Sequence, residues 1–211
     1  MIEAIIFDLD GVISDTNSIH AQIESDLLKM IGIDMDPAEI IDRYAGVRTD
    51  HFFQELAERY DVKCDVDKLI AEKNKKLFAA ANKGINSIPG VIELITTAQN
   101  QGLNLAVASG SDKDFIELVL KKLNIADKFR AVVSSEEVDK GKPNPDIFLL
   151  AAQKLSVAPN KCVVIEDGIN GILGAKAANM KCVGLTKNKN VPADLIIDSF
   201  QELNITKLVN L

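Results

Sequence analysis

The sequence predicts an α/β fold in which helices cover both faces of a parallel sheet and a small helical bundle is inserted after the first strand. Short apolar runs rich in β-branched residues alternate with helical-length segments, a pattern typical of parallel strands joined by helices. Residues 17–83 differ, because they keep a helical apolar periodicity and contain no convincing strand. With 47% hydrophobic and 26% charged residues, the 211-residue chain can bury a sizeable core.

The predicted core elements follow one another in a regular order. The first strand, residues 2–7, stops abruptly at the polar segment Asp8-Leu9-Asp10-Gly11. Further strands are expected at residues 103–108, 131–133, 161–165 and 181–185, and helices at residues 91–101, 112–123, 145–155 and 168–178. Residues 84–90 concentrate Gly, Pro, Asn and Ser, which marks a linker. We therefore expect a discontinuous core, residues 1–15 and 84–211, and a helical domain, residues 16–83.

Charge and composition exclude several classes of partner. The 24 basic residues against 31 acidic ones give a net charge of -7, which repels nucleic acid. No continuous apolar segment approaches about 18 residues, and no basic region is followed by a long apolar stretch, so neither a membrane span nor an export signal is expected. Cys64, Cys162 and Cys182 form no C-x-x-C pair, which fits a reducing compartment. We expect a cytoplasmic monomer that binds neither nucleic acid nor membrane.

Paired carboxylates follow the first predicted strand. Ligands of open parallel sheets bind outside the carboxyl ends of the strands, so the residues just after each strand are the first candidates for a site. Asp8 and Asp10 are two positions apart, which in an extended chain points both carboxylates to the same side. Mg2+ offsets their repulsion and suits carboxylates, water and a substrate phosphate, with Asp167 as a further ligand and Glu166 coordinating or supporting it. Either acidic pair alone is more typical of aspartates that cap turns or helices.

A phosphate-binding turn and a lone cation follow other predicted strands. Ser109, Gly110 and Ser111 precede a helix, where free N–H groups and the helix dipole favour a phosphate. Lys142 lies on a segment stiffened by the following proline, from which it could neutralise phosphoryl charge in the same cavity. Each feature alone is typical of a capped helix or a solvated lysine. Their occurrence at successive strand ends indicates phosphoryl transfer.

Together these residues indicate a covalent route for that transfer. The Asp8 carboxylate would attack phosphorus and form an aspartyl-phosphate, while the metal and Lys142 mask the anionic repulsion. Asp10 would protonate the departing ester oxygen and later deprotonate the incoming hydroxyl. The candidate catalytic residues are Asp8, Asp10, Ser109 and Lys142, and the candidate metal ligands are Asp8, Asp10, Asp167 and Glu166.

Four ordered segments also carry a resemblance to a known family. They are Phe7-Asp8-Leu9-Asp10-Gly11-Val12, Ala108-Ser109-Gly110, Lys140-Gly141-Lys142-Pro143-Asn144-Pro145-Asp146 and Glu166-Asp167-Gly168. With them the chain resembles the haloacid dehalogenase-like superfamily, in the subgroup of β-phosphoglucomutase, phosphoglycolate phosphatase and sugar-phosphate phosphatases. The resemblance implies a Rossmann-like core, a mobile helical cap, and Mg2+ held by Asp8, Asp167 and the main-chain carbonyl of Asp10. Gly168 is a departure, since relatives often carry Ser or Thr there.

Substrate-binding candidates in the helical domain come from the same resemblance. Thr16, His20 and the segment Gly46-Val47-Arg48-Thr49-Asp50 resemble the sugar-phosphate branch. The arginine is displaced by one position relative to the mutase pattern, so Lys73 or Lys76 would partly replace it, unless both belong to a solvated helix face. His20 fits either a role in orienting the general acid or an ordinary half-buried histidine. The substrate-binding candidates are Ser109, Gly110, Lys142, Thr16, His20, Gly46, Arg48 and Lys73.

The function expected from these features is hydrolysis by a Mg2+-dependent phosphohydrolase. Its substrate would be a small phosphorylated metabolite of the sugar phosphate or phosphoglycolate type. The alternative is a β-phosphoglucomutase that interconverts β-glucose 1-phosphate and glucose 6-phosphate, but the displaced arginine favours hydrolysis. A nucleotide-binding module is disfavoured because glycines 168, 171 and 174 do not form G-x-G-x-x-G. A non-catalytic scaffold is disfavoured because Asp8, Asp10, Lys142 and Asp167 are all present.

Overall fold

The fold is built on one parallel sheet. The computed structural model describes residues 1–211. The strands are β1 (Ala4–Phe7), β2 (Asn104–Ser109), β3 (Ala131–Ser134), β4 (Cys162–Glu166), β5 (Lys181–Leu185) and β6 (Leu195–Ile197). They lie in the order β3-β2-β1-β4-β5-β6, and every neighbouring pair is parallel. This doubly wound order places β1 between β2 and β4, where the strand order reverses and ligands bind.

Nine helices connect or follow the strands. Four of them form the helical domain: α1 (Asn17–Met30), α2 (Pro37–Tyr44), α3 (Thr49–Arg59) and α4 (Val66–Lys83). The other five belong to the core: α5 (Val91–Asn100), α6 (Lys113–Lys122), α7 (Asp146–Leu155), α8 (Ile169–Ala177) and α9 (Ile205–Val209). Asp36 and Asp65 start α2 and α4 by accepting backbone N–H groups that would otherwise be unpaired. No helix has an apolar stretch long enough to cross a bilayer.

Alternate residues of β1 face opposite sides of the sheet. Ile5 and Phe7 join a hydrophobic cluster with α5 and α6, whereas Ala4 and Ile6 join a second cluster with α7 and α8. Burial on both faces explains why β1 reads as a continuous apolar run. The first cluster also contains buried residues of α1 and α3, so the hydrophobic core continues from the sheet into the helical domain.

The helical domain joins the core through a narrow neck. Ser14 and Ser87 form an isolated antiparallel bridge where the chain leaves the core and returns. Beside it, the backbone N–H of Asp15 donates to the carbonyl of Asn86 at 2.9 Å. The proposed boundaries between residues 15 and 16 and between residues 83 and 84 flank this neck. Helices α1 to α4 therefore form an insertion between β1 and α5, and their residues close over the carboxyl end of β1.

The predicted fold class is confirmed. The core is an α/β parallel sheet with helices on both faces, and the helical block follows β1 as expected. Strand β6 and helix α9 are additional elements that the sequence pattern does not predict. Strand β6 has three residues, of which Leu195 and Ile196 are half-buried, and α9 has five residues. Neither is long enough to show a recognisable periodicity.

Candidate active site

Parallel pairing brings the core candidates to one edge of the sheet. Strand β1 pairs with β2 on one side and β4 on the other. Asp8 follows β1 directly, and its backbone N–H donates to the carbonyl of Ile165 at 3.0 Å. Ser109 and Glu166 are the last residues of β2 and β4. These two side chains therefore flank Asp8, which is the juxtaposition expected from strand ends in a parallel sheet.

Lys142 reaches the same edge from the connection between β3 and α7. Its Nζ lies 2.5 Å from Asp8 Oδ1 and 2.5 Å from Glu166 Oε1, and it donates to the carbonyl of Ala108 at 3.1 Å. Burial lowers the pKa of Lys142, but the charges of Asp8 and Glu166 outweigh burial and raise the pKa above its ordinary range. Lys142 therefore remains a cation although its side chain is fully buried.

Three carboxyl groups crowd around that lysine. Asp8, Glu166 and Asp167 each offer an oxygen, and these oxygens lie within 4.8 Å of one another. Burial and the charge of Glu166 raise the pKa of Asp8 well above its ordinary value, although Lys142 opposes them. The same two causes raise the pKa of Asp167 to about 7, against a hydrogen bond donated by Asn17 Nδ2 at 2.6 Å. Three acids with one lysine leave an excess of negative charge, so this donor set fits Mg2+.

Both oxygens of Glu166 are occupied by protein donors. Oε1 accepts from Lys142, and Oε2 accepts the backbone N–H groups of Asp167 at 3.1 Å and Gly168 at 3.3 Å. A Cβ atom at Gly171 would overlap the Glu166 carboxylate, so glycine there allows α8 to pack against the acid. These contacts favour a supporting role for Glu166. They also explain Gly171 by close packing, without a dinucleotide loop.

The Asp10 carboxylate faces a different set of partners. Thr16 Oγ1 donates to Oδ1 at 2.5 Å, and Ser111 Oγ donates to Oδ2 at 2.7 Å. Burial raises the pKa of Asp10, but the interaction with His20 and these hydrogen bonds outweigh burial and lower the pKa well below its ordinary value. His20 Nε2 lies 3.2 Å from Oδ1, at ion-pairing distance but outside hydrogen-bond geometry.

The Asp8 and Asp10 carboxylates, which the sequence-based expectation places on one metal ion, have different neighbours in the structure, and their sharing of a metal ion stays a prediction. The Asp10 side chain lies outside the group of Asp8, Glu166 and Asp167. Strand β1 ends at Phe7, so the extended alternation behind that expectation no longer holds at Asp10. The chain instead turns at Gly11, which has a φ of 85°. Coordination through the main-chain carbonyl of Asp10 stays a prediction.

A cavity of about 50 Å³ lies between the sheet edge and the helical domain. Its core wall is formed by Asp8, Asp10, Ser109, Gly110 and Ser111. The helical domain approaches this wall closely, because a Cβ at Gly110 would lie 2.7 Å from the carbonyl oxygen of Gly46. A volume of this size holds roughly four water molecules. The helical domain therefore lies close against the sheet edge, which defines the closed arrangement of the two domains.

Most helical-domain candidates lie at this cavity, but Arg48 does not. His20, Gly46 and Lys73 line it, and Thr16 binds Asp10 beside it. The Arg48 guanidinium pairs with Asp50, and its Nη1 donates to the carbonyl of Val138 in the core at 3.1 Å. The neighbouring Thr49 lines the cavity instead, and Lys76 does not reach it. The displaced arginine is thus a contact between the two domains in this closed arrangement.

Several cavity residues are absent from the sequence-based candidates, and Asn17, Glu24 and Thr49 are polar examples. Asn17 and Glu24 are three residues before and four residues after His20 on α1, so all three share one helix face. That spacing is a signal present in the sequence. Thr49 has no comparable signal, because it starts α3 and its direction depends on the turn before that helix.

Comparisons with known proteins agree with this arrangement. A model of the family described as haloacid dehalogenase-like hydrolase matches residues 5–185. The chain is 31% identical to β-phosphoglucomutase of Bacillus subtilis (strain 168) over 214 residues, covering 98% of this chain and 93% of that protein. It is 29% identical to hexitol phosphatase B of Escherichia coli (strain K12) over 213 residues, covering 98% and 96%. The crystal structure of β-phosphoglucomutase from Clostridium difficile matches with a TM-score of 0.88 and 29% identity, covering 100% and 96% of the two chains. From its sequence and its fold alike, the chain belongs to the haloacid dehalogenase-like hydrolases.

Proposed function

We propose that this enzyme is a Mg2+-dependent phosphatase that removes phosphate from a small phosphorylated metabolite, of the sugar phosphate or phosphoglycolate type. The observation that carries the proposal is the pairing of Lys142 with both Asp8 and Glu166 at a cavity that Asp10 also lines. A nucleophile, a buried cation and a second carboxylate with a different environment are the parts that covalent phosphoryl transfer needs. The similarity to hexitol phosphatase B supports hydrolysis of a phosphorylated small molecule.

Asp8 acts as the nucleophile. Its carboxylate oxygen forms a bond to phosphorus while the bond from phosphorus to the ester oxygen breaks. Lys142 lowers the pKa of Asp8 against the effect of burial, and its charge reduces the repulsion between the Asp8 carboxylate and the substrate phosphate. Asp8, Asp167 and the main-chain carbonyl of Asp10 would hold Mg2+, which would supply positive charge to stabilise the phosphoryl oxygens.

Asp10 moves the proton in both half-reactions. It gives a proton to the departing ester oxygen and takes one from the water that later attacks phosphorus, which releases phosphate and restores Asp8. The low pKa of Asp10 belongs to the substrate-free site, and the negative charge of a bound phosphate favours protonation. Thr16 and Ser111 hold the carboxyl oxygens in position for both transfers.

The decisive experiment measures hydrolysis of p-nitrophenyl phosphate by the wild type and by Asp8→Asn. We expect the wild type to be active with Mg2+ and inactive with EDTA. We expect Asp8→Asn, which keeps the size of the side chain and removes its nucleophilic oxygen, to lose activity by at least about a thousandfold. Rapid quenching followed by mass spectrometry should show a phosphate adduct on a peptide containing Asp8 in the wild type alone. Activity that survives Asp8→Asn would refute covalent catalysis.

A phosphomutase is the second candidate, and the match to β-phosphoglucomutase favours it. The two functions share the phosphorylation of Asp8 and differ in whether water or a sugar hydroxyl accepts the phosphoryl group. Incubation with β-glucose 1-phosphate and trace glucose 1,6-bisphosphate distinguishes them. We expect free phosphate to form faster than glucose 6-phosphate, and the reverse order would assign the chain as a mutase.

The same proposal includes the setting in which the enzyme works. We expect a monomer in the cytoplasm, in keeping with three free cysteines and the acidic composition. Gel filtration with light scattering tests the monomer, and a mass of twice 23.0 kDa would contradict it.

A further inference from the structure

The helical-domain wall of the cavity contains a buried ion pair. Lys73 of α4 and Glu24 of α1 both line the cavity, and Lys73 Nζ lies 2.6 Å from Glu24 Oε1. Their side chains are only 5% and 11% exposed. Lys73 Nζ also donates to Thr49 Oγ1 at 2.7 Å. These three groups face the cavity from the helical domain, whereas Asp8 faces it from the sheet.

The ion pair leaves this wall without an unpaired cation. A second phosphate or a carboxylate on the substrate would need a cation whose charge is free to pair with it. The charge of Lys73 is matched by Glu24, and Arg48 pairs with Asp50 outside the cavity. His20, the remaining basic side chain of the cavity, faces Asp10.

The same wall offers hydrogen-bond partners for hydroxyl groups. Glu24 has a second carboxylate oxygen that can accept an O–H, and the Thr49 hydroxyl can donate or accept. A neutral polyol gains these bonds, whereas an anionic group would meet the charge of Glu24 in a buried setting, where repulsion is strong. The wall therefore favours substrates with neutral hydroxyl groups and repels substrates with an additional anionic group.

We propose that Glu24, Lys73 and Thr49 form a specificity site for the hydroxyl groups of an uncharged sugar or polyol monophosphate. The site excludes substrates that carry a second phosphate or a carboxylate in addition to the reacting phosphate. This proposal rests on the proposed phosphatase function and narrows its substrate class. It places sugar and polyol monophosphates above phosphoglycolate and above sugar bisphosphates.

The test compares kcat/KM for sorbitol 6-phosphate and 2-phosphoglycolate in the wild type and in Glu24→Gln. We expect the wild type to prefer sorbitol 6-phosphate by about tenfold or more, since a site built to bond hydroxyl groups rejects ligands that leave its groups unpaired. Glu24→Gln keeps the side-chain size and frees the charge of Lys73, so we expect the preference to fall by about tenfold. Glu72→Gln makes the same change in an exposed pair with Lys75 on α4 and is the matched control, with an unchanged preference.

Two results would overturn the specificity site. One is a wild type that prefers 2-phosphoglycolate, and the other is a Glu24→Gln variant that loses activity equally on both substrates, as a purely structural pair would. If Glu24→Gln does not fold by circular dichroism, Thr49→Val replaces it and should lower kcat/KM for sorbitol 6-phosphate alone. If the wild type hydrolyses no phosphate monoester, the proposed function fails, and calorimetry with the same two ligands then measures the preference as binding.

Discussion

Replacement of Lys142 by Met is expected to destabilise the protein strongly, because Lys142 is the cation shared by Asp8 and Glu166. The side chain is fully buried, and its Nζ lies 2.5 Å from an oxygen of each acid. Removing one partner from a buried ion pair typically costs about 3–5 kcal/mol, since the remaining charge is left without compensation. For a chain of this length, that corresponds to a fall in Tm of about 6–20 °C.

The chain contains a matched control for this substitution. Lys154 lies 2.5 Å from Glu137 as well, but these side chains are 33% and 29% exposed. A surface pair contributes about 0–1 kcal/mol, so Lys154→Met should lower Tm by no more than about 4 °C. Differential scanning calorimetry in EDTA measures both variants, and Mg2+ should restore part of the loss in Lys142→Met by neutralising the acids. Equal Tm values for Lys142→Met and Lys154→Met would refute the argument from burial.

Three further results are expected. The pKa of Asp167 is raised from 3.8 to about 7, so the folded protein binds more protons than the unfolded chain between these pH values. In EDTA the free energy of unfolding should therefore fall by on the order of 2 kcal/mol as pH rises through that window. Urea unfolding at pH 5 and 7.5 measures this fall, and an equally steep fall in Asp167→Asn would contradict the prediction. Arg48→Met removes the contact with Val138 that joins the two domains in the closed arrangement. Steady-state assays should therefore show kcat/KM lowered about threefold to tenfold. Unchanged kinetics in this variant would show that the contact has no role in the reaction. Gly171→Ala should lower the free energy of unfolding by about 1–3 kcal/mol, because its methyl group overlaps Glu166, and an unchanged urea midpoint would show that α8 shifts without cost.

The core of the fold could be predicted from the sequence because its elements carry strong local signals. Strands β1 and β4 are buried on both faces, so each appears as an apolar run that ends at acidic residues. Strand β6 lies at the edge of the sheet and has three residues, so its pairing with β5 depends on tertiary contacts more than on pattern. The neck at Ser14 and Ser87 joins segments far apart in sequence, and no local pattern indicates that pairing.

The candidate site likewise contains residues whose positions could be predicted from the sequence and residues whose positions could not. Asp8, Lys142 and Asp167 could be predicted because strand ends meet at one edge of a parallel sheet, whatever the details of packing. The direction of the Asp10 carboxylate could not, because it depends on the turn that follows β1. Arg48 and Thr49 are adjacent in sequence, yet one lines the cavity and the other binds the core. Which of two neighbours points inward is decided by how α3 is oriented, and that orientation comes from packing between helices.

The neck also bears on how such an enzyme diversifies. The two segments of the neck, residues 14–15 and 86–87, are hydrogen-bonded to each other. If the helical domain between them were deleted, their ends would lie close enough to be connected by a tight turn. A whole insert can accordingly be exchanged or redesigned as a unit while the sheet beneath keeps its register. Replacement of the helical domain by a different insert would change the substrate-binding wall and leave the residues at the strand ends of the core unchanged.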